Sequence, residues 1–352
     1  MKTIKNYNIY IFISTFTRNI IDIYSVIYLY QKSFDIKEII IIYAIVYFLG
    51  YFISWLSLTA GNKVGYKYIL IISSLTTSVT FYILHKSNSI YLIALFLSLS
   101  TFTYHPIRHY YGMQLLKHKK EIGKTLIYIY IASLLSSYMA IKNMNAMCLI
   151  IISIIGIIPA LFIKKEGSKI IKYHGSINYQ KLKFFFFDQF KIIFIFLEPL
   201  YLYLIANKIS YVGIFNILLT LSSIICVYLL SNKINIEKHY KYTNILFTVI
   251  LIIKLNVYNK GLLLIIAILE GMGIKMNELV STMNLYHDQE LNEGYIIACE
   301  KIFCITRALI LCIIYFLPLN LKMILYILLI GIFLLSFSYK KDPLTWGSSL
   351  YF

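Results

Sequence analysis

Long apolar runs separated by short polar, lysine-bearing breaks make up nearly the whole chain. Runs fall near residues 7–30, 38–59, 68–84, 90–116, 125–141 and 146–163, and again near 184–205, 210–230, 242–258, 261–286, 295–317 and 322–339. At about 1.5 Å of rise per residue, such runs cross, or nearly cross, a hydrocarbon core roughly 30 Å thick. The pattern therefore predicts an all-α polytopic membrane protein with twelve transmembrane helices. The longest polar break, residues 164–183 with K-K-E-G-S-K-I-I-K-Y-H-G-S, divides them six and six. The expected organisation is a bundle over 1–163, a linker over 164–183, a second bundle over 184–339 and a tail over 340–352. The first run, after M-K-T-I-K, is too long for a signal peptide and lacks a small-residue cleavage site, so it is expected to remain as the first membrane helix.

Composition sharpens this picture. A hydrophobic content of 60% with a mean hydropathy of +0.76 excludes a soluble multidomain enzyme. The net charge of +18 would point to nucleic acid in a soluble chain, but here the lysines gather in short loops rather than on one continuous face. No nucleic-acid partner is expected. With the N-terminus inside, nineteen lysines fall on the cytoplasmic side and eight, Lys254 among them, on the other. That asymmetry places both termini and the linker in the cytoplasm, with the protein in the plasma membrane. The five cysteines lie inside apolar runs without a C-x-x-C pair, so neither metal nor disulfide framework is expected. No phosphate-binding G-x-x-x-x-G-K-[ST] loop and no H-E-x-x-H or G-x-S-x-G occurs, which argues against ATP-driven pumping, enzymatic activity and any cofactor.

Candidate chemistry comes from ionisable residues inside the apolar runs, where an unpaired charge is costly and a role facing the bundle interior is the default. Of 33 basic residues only three are arginine, and all three, Arg18, Arg108 and Arg307, fall within predicted spans. Arg18 and Asp22 are spaced to pair along the first helix. His105, Arg108 and His109 share a face of the fourth beside Pro106. Glu300, Cys304 and Arg307 line the eleventh, where Glu300 and Arg307 are expected to pair. Glu198, just before Pro199, and Glu270 are acidic, near mid-depth and without a basic partner on their own helix. They are the candidates for binding a proton or another cation. Lys275 and Glu278 form an i, i+3 pair. The abundant aromatics, 33 Tyr and 23 Phe, read mostly as packing and interfacial belt.

Between the second and third runs lies G-N-K-V-G-Y-K, a polar turn over Gly61–Lys67. It resembles the signature loop of major facilitator transporters, G-x-x-x-D-R-x-G-R-[RK]. Asn62 stands at the acidic position and Lys63 at the first arginine, while Gly65 and Lys67 match. Tyr66 departs from the pattern and the leading glycine is missing. The resemblance implies two pseudo-symmetric six-helix bundles, a central cavity lined by the first, fourth, seventh and tenth helices, and alternating access. It also implies a conformational latch at Gly61, Asn62, Lys63, Gly65 and Lys67, weakened here because Asn62 carries no charge.

The expectation is a proton-coupled secondary transporter of a small solute of unknown class, with membrane lipids and protons as its other partners. Arg18 would contact substrate, and protonation of Glu198 or Glu270 would bias the side that is open. The alternative is a flippase for lipid or envelope glycan, with the three arginines drawing a phosphate-bearing head group. A membrane-embedded transferase using His105 or His109 as base, and a transport-dead scaffold, are the remaining rivals.

Overall fold

The computed structural model describes residues 2–116, 119–142, 145–163, 179–230, 236–286 and 293–338. These are helical almost throughout: α1 (Lys2–Gln31), α2 (Ile36–Val64), α3 (Tyr66–Lys86), α4 (Ile90–Leu116), α5 (Lys119–Ile141), α6 (Ala146–Ile155) and α7 (Ile157–Leu161), then α8 (Tyr179–Ala206), α9 (Ile209–Leu230), α10 (Ile236–Asn256), α11 (Lys260–Tyr286), α12 (Glu293–Phe316) and α13 (Leu321–Leu335). Helices α6 and α7 are one predicted span, interrupted at Gly156 three residues before Pro159. The most C-terminal part of the predicted linker is already helical, since α8 begins at Tyr179. By length and composition alone, five helices among the described residues can cross a membrane, including α2, α3 and α9. Others fall short by length, as α13 does, or carry charge, as α12 does with Glu300, Lys301 and Arg307.

Polarity is distributed for a lipid solvent. Large apolar side chains such as Phe48, Phe52, Leu56, Ile265 and Ile313 are exposed, whereas Arg18, Asn244, Lys254, Glu270 and Asn277 are buried. Interior hydroxyls satisfy themselves on their own helix, as when Thr77 donates to the Ser73 carbonyl at 2.7 Å and Ser98 to the Ala94 carbonyl at 2.8 Å. Such back-bonding is how Ser and Thr tolerate a helix interior without water. Helix starts carry side-chain caps: Asp35 and Glu38 form a reciprocal capping box on α2, Asn145 caps α6 and Asn320 caps α13.

The chain forms two compact units, Met1–Gly175 with Glu290–Pro318, and Ser176–Gln289 with Leu319–Phe352. In the first, α2 packs on α4 and α12, α3 on α4 and α6, and α1 on α5. Helix α12, which the sequence groups with the second half, packs along α2 and α4. In the second unit α9 packs on α11, α8 on α13, and α10 on α11 and α13. Gly271 permits the close α9–α11 approach: its carbonyl accepts from Ser223 at 2.8 Å, and a Cβ there would collide with Ser222 and the Leu219 backbone.

The turn expected over Gly61–Lys67 contracts to one residue. Gly61, Asn62 and Lys63 stay helical at the end of α2, Lys67 lies in the first turn of α3, and the reversal falls at Gly65 with φ of 108°. That backbone is open to glycine and strained for other residues, so a single position suffices. The Tyr66 hydroxyl donates to Asn62 Oδ1 at 2.9 Å across the break, and its buried ring covers Gly61.

Candidate functional site

The ionisable residues predicted from sequence collect into two clusters, one in each unit. In the first unit Arg18 is buried, and its guanidinium donates to Ser73 Oγ at 2.9 Å and to the Ser100 carbonyl. It also lies 4.2 Å over the Tyr104 ring. The expected ion pair with Asp22 does not form. The hydroxyl and carbonyl on α3 and α4, with the aromatic face of Tyr104, take the guanidinium, and Asp22 stays exposed. Asp22 nevertheless sits within electrostatic reach of Arg18, Arg108, Tyr43 and Tyr47, on three helices.

On α4, His105 and Arg108 are half-buried. The His105 ring meets Tyr104 edge-on at 5.6 Å. His109 Nε2 lies 3.4 Å from Glu300 Oε1 on α12. Glu300 thus has its close side-chain partner on α4 and not in Arg307 two turns along the same face of α12, which corrects the expected bracing of Glu300 by Arg307. Arg307 instead lies 5.2 Å over Tyr47 and 6.0 Å over Phe303. All three arginines act electrostatically on His105, from α1, α4 and α12. Next to Glu300, Lys301 lies 5.1 Å over Tyr51 and 5.8 Å over Trp55.

The second unit holds a group the sequence pattern concealed. Lys254 on α10, counted above as a lysine of the external side, is fully buried. Its ammonium donates to Glu198 Oε1 on α8 and, at 2.6 Å, to Glu270 Oε1 on α11. Phe194 and Phe215 flank it at 5.1 and 5.7 Å. The two carboxylates do lack a basic partner on their own helices, but a third helix supplies one to both. The second oxygen of Glu270, Oε2, has no hydrogen-bond partner. A signal was available: Lys254 falls within the run I-L-I-I-K-L-N, short of its polar end. Fully ionised, this Glu198–Lys254–Glu270 triad carries two negative charges against one positive; a single proton neutralises it. Lys275 and Glu278 pair at 2.8 Å on α11, at the exposed edge. Among the described residues no three His, Cys, Asp or Glu side chains come together as a metal site.

Among the described residues, long apolar helices with apolar exteriors and buried ionic interiors mark an integral, multi-pass membrane protein, and the chain has the major facilitator fold. Among solved structures it is similar to the nucleoside transporter NupG, with a TM-score of 0.61 at 14% identity over 96% of this chain and 98% of that one. It is likewise similar to the human organic anion transporter MFSD10 (TETRAN), with a TM-score of 0.65 at 8% identity over 96% and 98%. A bacterial homologue of the iron transporter ferroportin in its outward-facing state matches with a TM-score of 0.64 at 11% identity, again over 96% and 98%. No sequence-family profile and no curated protein matches the sequence.

Proposed function

We propose that this chain is a secondary transporter that moves a small solute by alternating access, coupled to protons at the Glu198–Lys254–Glu270 triad. The buried triad with its unequal charge is the observation that carries the reading. A net negative charge in a low-dielectric interior is costly, and one proton shared by the two carboxylates removes that cost. Proton gain and loss there would shift the balance between two conformations only if the triad is held differently in each. In this reading residues 1–163 and 184–339, joined by the linker 164–183, are the bodies that exchange access. Gly61, Asn62, Lys63, Gly65 and Lys67 form the latch on the cytoplasmic side. The N-terminus, linker and tail lie in the cytoplasm, and the protein resides in the plasma membrane as a carrier and not an enzyme. The similarity of the fold to carriers of nucleosides, iron and organic anions supports a small solute as partner.

The test uses proteoliposomes loaded with a pH-sensitive dye and offered uridine, iron(II) or benzoate under an imposed pH gradient. Solute uptake that follows the gradient, with proton flux lost in Glu270→Gln and Glu198→Gln, is the expected result. Gradient-driven uptake unchanged in both variants overturns proton coupling at this triad. No flux of any of the three solutes in the wild-type chain overturns carriage of these classes.

A further inference from the structure

We infer that the first unit binds one structural water molecule in a hydroxyl-lined cavity between α1, α3 and α6, beside the serine that holds Arg18. Seven of the eight side chains lining this cavity carry a hydroxyl, Ile13 being the exception. Three come from α1, three from α3 and one, Ser153, from α6. All seven residues are more than nine-tenths buried. The cavity measures about 10 Å³, which is the room that one water molecule needs and far less than a solute or a hydrated ion requires. Empty cavities in proteins are apolar, and a polar one of this size takes water.

The hydrogen bonds already made around the cavity select the ligand. Ser14, Thr17, Thr77 and Ser153 donate to carbonyls of their own helices at 3.2, 3.1, 2.7 and 2.8 Å, and Tyr10 donates to the Leu70 carbonyl at 3.1 Å. A hydroxyl committed in this way still offers its lone pairs, so these five present acceptors. Ser73 accepts from the Arg18 guanidinium at 2.9 Å, and with Ser74 it lies within hydrogen-bond reach of the Tyr10 hydroxyl. The hydrogens of these two serines are the donors at the site. Water both gives and accepts, so it can accept from Ser73 or Ser74 and donate to hydroxyl oxygens on α1 and α6. An anion would meet mostly lone pairs. A bare cation would find no carboxylate in the lining and would sit one hydrogen bond from the Arg18 guanidinium. A chain from Arg18 through Ser73 to water strengthens each of its links in the low-dielectric interior. Gly156, at the break between α6 and α7, borders the site: a Cβ there would stand 3.2 Å from Ser74 Oγ.

The experiment exposes the full chain, in phosphatidylcholine nanodiscs and isotope-labelled water, to brief X-ray radiolysis, which oxidises side chains lying next to bound water. Tyr10, 1% exposed, lines the cavity, whereas Tyr66, 0% exposed and on the same unit, does not. Tyr10 is expected to take up label several-fold faster than Tyr66. In Ser153→Thr the added methyl takes the space of the water, so Tyr10 should fall to the rate of Tyr66 and the thermal midpoint should drop. Equal labelling of the two tyrosines in the wild-type chain overturns the site. Undiminished labelling of Tyr10 in a folded Ser153→Thr also overturns it, as does a raised midpoint, which marks a dry void being filled. Should Ser153→Thr not fold, the wild-type comparison of the two tyrosines decides the matter.

Discussion

Lys254 on α10 and Glu270 on α11 meet at 2.6 Å with both side chains wholly shut off from solvent. Glu198 on α8 completes the contact, so one ammonium ties three helices of the second unit. The two acids stand 56 and 16 residues from Lys254 in sequence, so no spacing rule joins them.

Such a group contributes differently when broken than when replaced. Lys254→Met leaves two carboxylates facing each other in an apolar interior and is expected to cost about 3–5 kcal/mol. The triple change Glu198→Leu, Lys254→Met, Glu270→Leu removes every charge together and should recover most of that loss. Thermal unfolding of the purified protein, followed by intrinsic fluorescence, separates the two. Equal midpoints for the single and triple variants would show that the ion triad has no bearing on stability.

Packing of α9 on α11 makes a second prediction. At Gly271 a Cβ would strike Ser222 and the Leu219 carbonyl group, and backbone cannot swing away as a side-chain end can. Gly271→Ala should therefore cost about 1–3 kcal/mol. Gly261→Ala, at the start of the same helix, meets only the Asn259 side-chain oxygen at 3.3 Å and should cost much less. Comparing the two unfolding midpoints checks this, and a harmless Gly271→Ala would mean the two helices are not in close contact.

What the sequence made legible follows from which forces act along the chain and which act across it. Apolar runs reveal membrane helices because each span must bury its own backbone polar groups, and the twelve predicted runs coincide with the helices to within a few residues, apart from earlier starts for α1, α5, α8 and α10 and a later end for α2. The three arginines were visible as candidates because their type is scarce and their positions lie deep. Partners were not visible. Arg18 and Asp22 satisfy the i, i+4 rule yet do not pair, since Ser73, Ser100 and Tyr104 come from helices whose rotation periodicity does not specify. Lys254 was misplaced for the opposite reason: lysine counting assigns a residue near the end of a run to the loop, whereas two carboxylates held it inside.

At the α2–α3 reversal the backbone, not the charge pattern, decides. Gly65 holds φ at 108°, a conformation that costs a residue with a Cβ roughly 1–2 kcal/mol. Gly65→Ala should lower the unfolding midpoint accordingly, whereas Lys63→Gln, on an exposed turn of α2, should leave it nearly unchanged. An unaltered midpoint in Gly65→Ala would mean that the reversal is not made at this residue.

The end of α3 is closed from another helix. Lys32, just past α1, donates to the carbonyls of Leu84 at 2.8 Å, His85 at 3.3 Å and Ser87 at 2.7 Å. An ammonium at a helix C-terminus satisfies orphan carbonyls and complements the helix dipole. Beside it the Tyr28 hydroxyl and His85 Nδ1 lie 2.9 Å apart, a second link between α1 and α3 at this end. Lys32→Met keeps the aliphatic stem and removes the donors, and the expected loss is about 1–2 kcal/mol. Hydrogen exchange gives the sharper reading, because the last turn of α3 should lose protection while its middle, packed on α4, keeps it. If both regions exchange as in the wild type, Lys32 is not what holds that turn closed.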